Sequence, residues 1–259
     1  MQTKLILLKL SKFFPKKYAR LYHDYVGLMV GKLKNDTNKI VLCLDFDEEV
    51  FSIIEKMEKK PDLILTHHPF IYGKRSFVLK NDLKKAELYD KIIKLDIPVY
   101  SMHTNFDSGK FGMNDALCDL LNLNNVIQPL VCPMMRIGEL ENDMPIKDFS
   151  HIAIKKLNVN YGLLIHKGKD NIKKVAIIGG GGSRDFITAK KLGADIFISG
   201  DAPHHVRRDI VNEKFNYLDV PHEVERVFMT RMEELLLKID KNLQIIKINH
   251  EKEPEVILL

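Results

Sequence analysis

The chain has 259 residues, of which 45% are hydrophobic and 29% charged, and its formal net charge at pH 7 is +5. This length gives room for one large domain or for two modest ones with real cores. The lysines are spread along the chain without a block of like charges, which argues against nucleic-acid binding. No run approaches the ~20 apolar residues that cross a bilayer, which argues against a membrane protein.

The cysteines and the N-terminus indicate the compartment. Cys43, Cys118 and Cys132 are far apart, odd in number and never part of a C-x-x-C motif, which is typical of a reducing environment. The apolar run over residues 5–8 is too short for a signal peptide and has no small-residue cleavage site after it. We therefore expect a cytoplasmic protein with small, buried cysteines.

The N-terminal part of the chain predicts a helical start followed by a βαβ unit. Pro15 interrupts the first helical pattern, and Gly27 and Gly31 indicate tight turns. A strand, a helix and a strand within ~30 residues are typical of a right-handed βαβ unit. The predicted elements are a helical pattern over 3–22 that Pro15 interrupts, a strand over 40–44, a helix over 48–59 and a strand over 62–66.

The second strand of this unit ends in His67, His68 and Pro69. Because Pro69 cannot continue a ladder of hydrogen bonds, the two histidines should lie at the carboxyl end of the strand, where open α/β sheets bind ligands. Neighbouring side chains on a strand point to opposite faces, so the pair is best used to hold two ions. The alternative is one partly buried and one solvated histidine.

Residues 81–121 predict a further strand that ends in polar residues. Asn81 is placed to cap the helix before it, and the cluster from His103 to Asp107 follows the strand directly. The predicted elements are a helix over 82–95, a strand over 97–102, a helix over 113–121 and, farther on, a helix over 146–157.

Residues 174–205 repeat the order of residues 39–69. Lys174 and Asp195 correspond to Lys39 and Asp62, and a glycine run over 179–182 separates the second copy's first strand from its helix. The predicted fold class is therefore α/β, with two related, interlaced lobes, mixed and largely parallel sheets, and a metal cleft between the lobes. The predicted limits are 1–125 plus 215–259 for the metal-binding lobe and 126–214 for the second lobe.

The last predicted strand, over 217–220, leads through Pro221 into His222 and a long amphipathic helix. On a helix, His222 and Glu225 are three residues apart and share a face, whereas Glu223 points elsewhere. Glu225 is therefore the better candidate for a ligand beside His222.

Three separate strands thus end in residues that can bind a metal. The carboxyl ends of parallel strands lie at one edge of a sheet, so groups far apart in sequence can converge there. Imidazole and carboxylate groups suit Zn²⁺, Mn²⁺, Fe or Ni²⁺, and a carboxylate can bridge two ions.

These motifs resemble, in the same order over nearly the whole chain, those of the GTP cyclohydrolase 1 type 2 homologue family. The matching segments are Asp24-x-Val26-Gly27-Leu28-x-Val30-Gly31, His67-His68-Pro69, His103-Thr104-Asn105-x-Asp107, the glycines 179–182 with Ser183, Gly200-Asp201 with His204-His205, and His222 with a following Glu. The resemblance implies a homohexameric ring with a dinuclear metal centre facing its interior cavity. It implies as metal ligands His67, His68, Asp107, His222 and Glu225, with Asp107 and Glu225 as bridging carboxylates.

The chain departs from this family pattern at three positions. His23 and Tyr25 stand where the family usually has Trp and Asn. Arg226 stands where the family's last Glu falls, four residues after its His. The assignment of Glu225 therefore depends on a start of the last helix that is one residue shorter.

Three further groups could serve the site. His103 is predicted to be the catalytic residue, as a group that orients a ligand or moves a proton, since metal-bound residues need such partners. His204 and His205 could contact a substrate or simply cap the helix that begins there. The glycines 179–182 could hold a phosphate or form a tight strand-to-helix turn.

Two functions follow. The first is a metal-dependent hydrolase that carries two divalent ions per subunit and acts on a nucleotide or a related phosphorylated small molecule. The alternative is a non-catalytic metal-binding ring that binds or regulates a macromolecular partner, with the apolar C-terminal helix packed between subunits.

Overall fold

The computed structural model describes residues 1–257, and the chain divides into two compact units. Unit 1 consists of Met1–Gly112 and Phe228–Glu251, and unit 2 consists of Met113–Val227 with the tail from Lys252 onward. Unit 1 is thus discontinuous in sequence. The limits predicted from the sequence lie at 125–126 and 214–215, and they stay a prediction.

The helices of the described residues include two short 3₁₀ segments besides the α-helices. The α-helices are α1 Thr3–Phe13, α2 Lys17–Leu21, α3 Glu48–Lys56, α4 Arg75–Asn81, α5 Leu83–Lys94, α6 Thr104–Ser108, α7 Met113–Leu121, α8 Ile146–Lys156, α9 Phe186–Lys191, α10 His204–Asn212 and α11 Val227–Ile239. The 3₁₀ segments are Ser183–Asp185 and His222–Arg226. Every helix in residues 1–257 is too short or too polar to cross a lipid bilayer.

The strands form two sheets, one in each unit. They are β1 Gly27–Val30, β2 Lys39–Cys43, β3 Leu63–Thr66, β4 Val99–Ser101, β5 Asn124–Ile127, β6 Arg136–Pro145, β7 Leu163–Ile165, β8 Asn171–Ile177, β9 Ile196–Ser199, β10 Asn216–Asp219 and β11 Gln244–Lys247.

The sheet of unit 1 has the order β1-β4-β3-β2-β11. Strands β11, β2, β3 and β4 pair in parallel, and β1 is antiparallel to β4 at the edge. All residues of β2 and β3 are buried, as expected for parallel strands covered on both faces. The carboxyl ends of β3 and β4 therefore lie side by side, and they deliver His67, His68 and His103 to one edge of the sheet.

The sheet of unit 2 has the order β5-β6-β8-β9-β10-β7. Its centre, β8, β9 and β10, is parallel, and the flanking strands β5, β6 and β7 are antiparallel. The predicted class, an α/β protein with mixed sheets, is confirmed.

The internal repeat has a matching set of contacts in both units. The carboxylate of Asp62 accepts the backbone N–H of Lys39 at 3.0 Å, and that of Asp195 accepts the N–H of Lys174 at 2.8 Å. The lysine side chains also correspond. Nζ of Lys39 donates to the carbonyl of Lys59, and Nζ of Lys174 donates to the carbonyl of Leu192, in each case after the helix that connects the two strands. The predicted relation between the two βαβ segments is therefore visible at the level of single hydrogen bonds.

The predicted elements can be compared with the structure one by one. The helical pattern over 3–22 is interrupted at Pro15 as predicted, since α1 ends at Phe13 and α2 begins at Lys17. The helix over 82–95 is capped by Asp82, whose carboxylate accepts the N–H of Lys85 at 2.9 Å, and not by Asn81, which ends α4. In residues 1–257 the three cysteines are buried and form no disulfide.

The cap of α5 gives a test of this difference. Asp82→Ala should lower the free energy of unfolding by about 1 kcal/mol, because the N–H of Lys85 loses its acceptor. Asn81→Ala is the matched control and should have a smaller effect, since its exposed side chain only donates to Phe77 within α4. Denaturant unfolding followed by circular dichroism measures both, and an equal or larger loss in Asn81→Ala would contradict the assignment.

Candidate metal centre

His67 is completely buried at the end of β3, and its ring orientation is fixed. Its Nδ1 lies 2.9 Å from the carbonyl oxygen of Met102. A carbonyl oxygen can only accept, so Nδ1 carries the proton and Nε2 carries the lone pair. The rings of Phe106 and Phe228 pack on the imidazole at centroid distances of 6.1 and 5.4 Å, which holds it against an apolar wall.

The ring of His68 is also fixed by a hydrogen bond from Nδ1, but the acceptor is a carboxylate. Its Nδ1 donates to the carboxylate of Asp45 at 2.9 Å, in the turn after β2. Thr66 fixes the local backbone, because its hydroxyl donates to the carbonyl of His68 at 2.8 Å. The rings of His67 and His68 lie 5.0 Å apart by centroid, and the Nε2 of each is set by the hydrogen bond on the other side of its ring.

His103 is held by Asp24, at the carboxyl end of β4. Its Nδ1 donates to the carboxylate at 2.8 Å, and the hydroxyl of Thr104 donates to the same oxygen at 2.7 Å. Burial alone raises the pKa of Asp24, but the hydrogen bond and charge of His103 and the hydrogen bond of Thr104 outweigh it, so this pKa is lowered. Asp24 is therefore an ionised anchor for the imidazole.

The three histidines of unit 1 form one group with Asp107. One ligand atom from each of His67, His68 and His103 lies within 4.8 Å of the others. The buried carboxylate of Asp107, on α6, lies 3.5 Å from Nε2 of His67. The structure thus brings together three of the predicted ligands, His67, His68 and Asp107. His103, predicted as the catalytic residue, lies with them, and its ring is held through Nδ1 as those of the other two histidines are.

Unit 2 holds the remaining predicted ligands. Nδ1 of His222 donates to the carboxylate of Asp201 at 2.6 Å, and its Nε2 lies 3.0 Å from the carboxylate of Glu225. The two residues lie on a 3₁₀ segment and not on an α-helix as predicted. With about three residues per turn, a 3₁₀ helix places residues three apart directly over one another, which explains why Glu225 reaches His222.

The glycine run makes room for this pair. A Cβ on Gly180 would lie 2.1 Å from Oε1 of Glu225, and its φ of +64° is in the left-handed region. The N–H groups of Gly179 and Gly182 already donate to Asn114 and Ser199. Of the two readings from the sequence, a tight strand-to-helix turn therefore describes the loop better than a phosphate-binding nest.

Asp45 and Asp201 are partners that the sequence analysis did not assign. Asp201 lies two residues after the end of β9, next to Gly200. Its φ of +54° is a conformation that aspartate tolerates better than most residues do. The signal for both is a carboxylate just after a strand that neighbours a strand ending in histidine. His204 and His205 are exposed at the start of α10 and are not part of the pair formed by His222 and Glu225.

These groups fit divalent metal ions by the chemistry of their donors. The donors are imidazole nitrogens and carboxylate oxygens, a set that suits Zn²⁺, Mn²⁺, Fe or Ni²⁺. Metal-binding histidines almost always donate the second ring N–H to a carboxylate or a carbonyl, and all four histidines do so here.

The fit of Glu225 against the glycine loop can be tested. In Gly180→Ala the new Cβ would displace the carboxylate of Glu225. The alanine would also have to adopt a left-handed backbone conformation, at a cost of about 1 to 2 kcal/mol. We expect lower metal content by elemental analysis and a lower melting temperature. Gly181→Ala is the control, since its Cβ would meet the nearest atom only at 3.4 Å; equal losses in both variants would contradict the interpretation.

Comparison with known proteins agrees with the sequence analysis. A family model for Duf34/NIF3 (NGG1p interacting factor 3) matches residues 1–254. A Clostridium perfringens protein named GTP cyclohydrolase 1 type 2 homolog is 35% identical over 89% of this chain and 90% of its own. A Methanocaldococcus jannaschii protein of the same name is 30% identical over 96% of this chain and 100% of its own.

Two solved structures have a similar fold. Reduced HcgD from Methanocaldococcus jannaschii has a TM-score of 0.79 and is 28% identical, with 95% of this chain and 97% of that chain covered. A Staphylococcus aureus hypothetical protein has a TM-score of 0.86 at 24% identity, with 100% and 99% covered. The predicted family resemblance is confirmed, and the chain belongs to the Duf34/NIF3 family.

Proposed function

We propose that this protein binds two divalent metal ions per subunit and hydrolyses a bond in a nucleotide or a related phosphorylated small molecule. The observation that carries the proposal is the common arrangement of four histidines, His67, His68, His103 and His222. Each has Nδ1 within 2.6 to 2.9 Å of an oxygen acceptor, so each presents the lone pair of Nε2. A purely structural role would not require the same tautomer four times.

We assign as ligands His67, His68 and Asp107 from unit 1 and His222 and Glu225 from unit 2. The hydrogen bonds and distances within each unit support the ligands assigned to that unit. The family resemblance supports the action of both sets as one dinuclear centre. The name of the relatives, GTP cyclohydrolase 1 type 2 homolog, favours a guanine nucleotide among the possible substrates.

The roles of the chain's own residues follow from their hydrogen bonds. A bound divalent ion supplies a water of lowered pKa and polarises the bond under attack. We assign proton transfer to Nε2 of His103, because its Nδ1–H is held by ionised Asp24, which stabilises the imidazolium that forms. Asp45 and Asp201 keep His68 and His222 in the tautomer that binds through Nε2.

Metal content and turnover should fall together when a ligand is removed. In His67→Ala we expect less metal per subunit by elemental analysis and hydrolysis of GTP or another nucleotide lowered by about 100-fold or more. His205→Ala, an exposed histidine on α10, should change neither. If the wild type loaded with Mn²⁺, Zn²⁺ or Fe²⁺ turns over no nucleotide or phosphoester, or if His67→Ala is fully active, the hydrolase proposal is wrong.

His103 can be separated from the ligands by its partner. Asp24→Asn should retain metal, because in the described residues the carboxylate of Asp24 accepts from the side chains of His103 and Thr104 and from the backbone N–H groups of Tyr25 and Thr104. It should lower turnover by about 10- to 100-fold and move the pH profile, since the neutral amide no longer stabilises the charged imidazole. A pH profile identical to that of the wild type would contradict proton transfer by His103.

A homohexameric ring is part of the proposal, and the surface of unit 2 supports self-association. The edge strand β5 and the loop after it expose Ile127, Leu130 and Val131, with 56%, 96% and 76% of their surfaces accessible. Exposed apolar edges of this kind are usually covered by a partner. The C-terminal helix α11 buries Phe228, Met229, Met232, Leu235 and Leu236 within the chain, whereas Leu237 is 38% exposed. Its packing between subunits stays a prediction.

The oligomer gives a direct test. Leu130→Glu should dissociate the assembly, because it places a charge in the centre of the apolar stretch, and light scattering after gel filtration should then report a smaller mass. Leu83→Glu is the control, since Leu83 is also largely exposed, at 73%, but lies on α5 of unit 1. If the mass of Leu130→Glu equals that of the wild type, this surface is not the interface. A hexamer that binds metal and is inactive on every substrate would favour the non-catalytic ring.

A further inference from the structure

Unit 1 contains a basic cavity beside the pair formed by Asp24 and His103. The cavity has a volume of about 320 Å³ and is lined by α2 with the residue before it, by β1 with the loop before it, and by the loop that leads to Arg75 at the start of α4. Three of its lining residues, Lys16, Arg20 and Arg75, are cations, and Asp24 is the one carboxylate among them. Its size is at the lower end of the range for small-molecule sites, about 300 to 1,000 Å³.

The cations that line this cavity outnumber its carboxylates by three to one. In the part of the chain that the structure describes, residues 1–257, no carboxylate forms an ion pair with Lys16, Arg20 or Arg75. The carboxylate of Asp24 is 2% exposed and is already used, since it accepts from His103, Thr104 and the N–H of Tyr25. The cavity therefore presents three cations to any molecule that enters it.

Two of the three cations are held in position. Arg75 donates to the carbonyl of Met29 at 3.0 Å, and its guanidinium lies 5.7 Å from the ring centroid of Tyr89. Lys16 lies against the start of β1, where a Cβ on Gly27 would come within 2.8 Å of its Nζ. Gly27, with a φ of +107°, thus leaves space for the ammonium group. Arg20 is exposed at the rim of the cavity.

An aromatic surface adjoins the cations. Tyr25 lines the cavity with 44% of its surface exposed, and its ring lies 5.5 Å from that of Tyr72 at an angle of 68°. Exposed aromatic rings of this kind provide a face on which a base can stack. Leu28 extends the apolar side of the cavity and is 38% exposed.

We propose that this cavity binds a nucleoside di- or triphosphate, with the phosphates on Lys16, Arg20 and Arg75 and the base against Tyr25. Guanidinium forks match phosphate oxygens, a lysine adds a point charge, and three unpaired cations suit the several charges of an oligophosphate. This assignment deepens the proposed function, on which it rests, because it names the class of the phosphorylated substrate and the residues that hold it.

Binding is measured by calorimetry on the purified full-length protein with the non-hydrolysable analogue β,γ-methylene-GTP, guanosine and inorganic triphosphate. We expect the analogue to bind at least about 10-fold more tightly than guanosine, since each charge-assisted hydrogen bond contributes strongly. Arg20→Gln should lower the affinity for the analogue by about 10-fold or more and leave the metal content and the melting temperature unchanged. Lys16→Gln should weaken it in the same direction.

The control variants separate this cavity from other sites. Arg208→Gln removes an exposed arginine of α10 and should bind the analogue like the wild type. His67→Ala, which removes a proposed metal ligand, should bind it within about 3-fold of the wild type, a change of less than 1 kcal/mol. Loss of binding in His67→Ala with unchanged binding in Arg20→Gln would overturn the proposal and leave the hydrolase intact.

The remaining outcomes are also decisive. No binding of the analogue, or equal affinity in Arg20→Gln, Lys16→Gln and the wild type, would overturn the assignment of the cavity. Tighter binding of single-stranded RNA than of the analogue would overturn it in favour of a nucleic-acid surface. Binding that depends on Arg20 in a protein without hydrolytic activity would support the cavity and contradict the hydrolase.

Discussion

The hydrogen bond between Nδ1 of a histidine and a fixed oxygen is the interaction on which the candidate site depends. An unrestrained neutral imidazole exchanges between two tautomers and rotates about χ2, so the lone pair is on Nε2, and points in one direction, only part of the time. In this chain the acceptor is a backbone carbonyl for His67 and an aspartate for His68, His103 and His222. The acceptors are themselves held by strands or turns, so the rigidity of the sheets is transmitted to the Nε2 atoms.

Those acceptors also set the electrostatics of the site. Asp24 is ionised, because the charge and hydrogen bonds of His103 and Thr104 outweigh the effect of its burial on its pKa. A carboxylate behind an imidazole makes the other ring nitrogen a stronger base and a better ligand. The same aspartate lines the basic cavity of unit 1, so one buried charge serves both the histidine group and the proposed phosphate site. The cations on the other side of the cavity face a carboxylate whose lone pairs are already used.

Much of the fold and part of the site could be predicted from the sequence. The repeat was visible because Lys39 with Asp62 and Lys174 with Asp195 make the same backbone contacts, and such contacts require the same residue types at the same spacing. The end of β3 at His67 was visible because Pro69 cannot continue a ladder. Asp45 and Asp201 were missed because their role depends on which strands are neighbours in the sheet. The 3₁₀ segment at His222 was missed because helical periodicity over so few residues does not distinguish a turn of about three residues from one of about 3.6.

The discontinuity of unit 1 has a consequence for the synthesis of the protein. Strand β11 covers the edge of β2 in parallel register, but it lies after all of the continuous segment of unit 2. As the chain leaves the ribosome, the apolar edge Ile40–Cys43 therefore stays uncovered until residues near 244 have been made. The last strand of the unit 2 sheet, β10, ends at Asp219, before β11 begins at Gln244. The nascent chain thus carries an uncovered β edge after the strands of unit 2 have been made, and an uncovered edge of this kind can pair with other chains and favour aggregation.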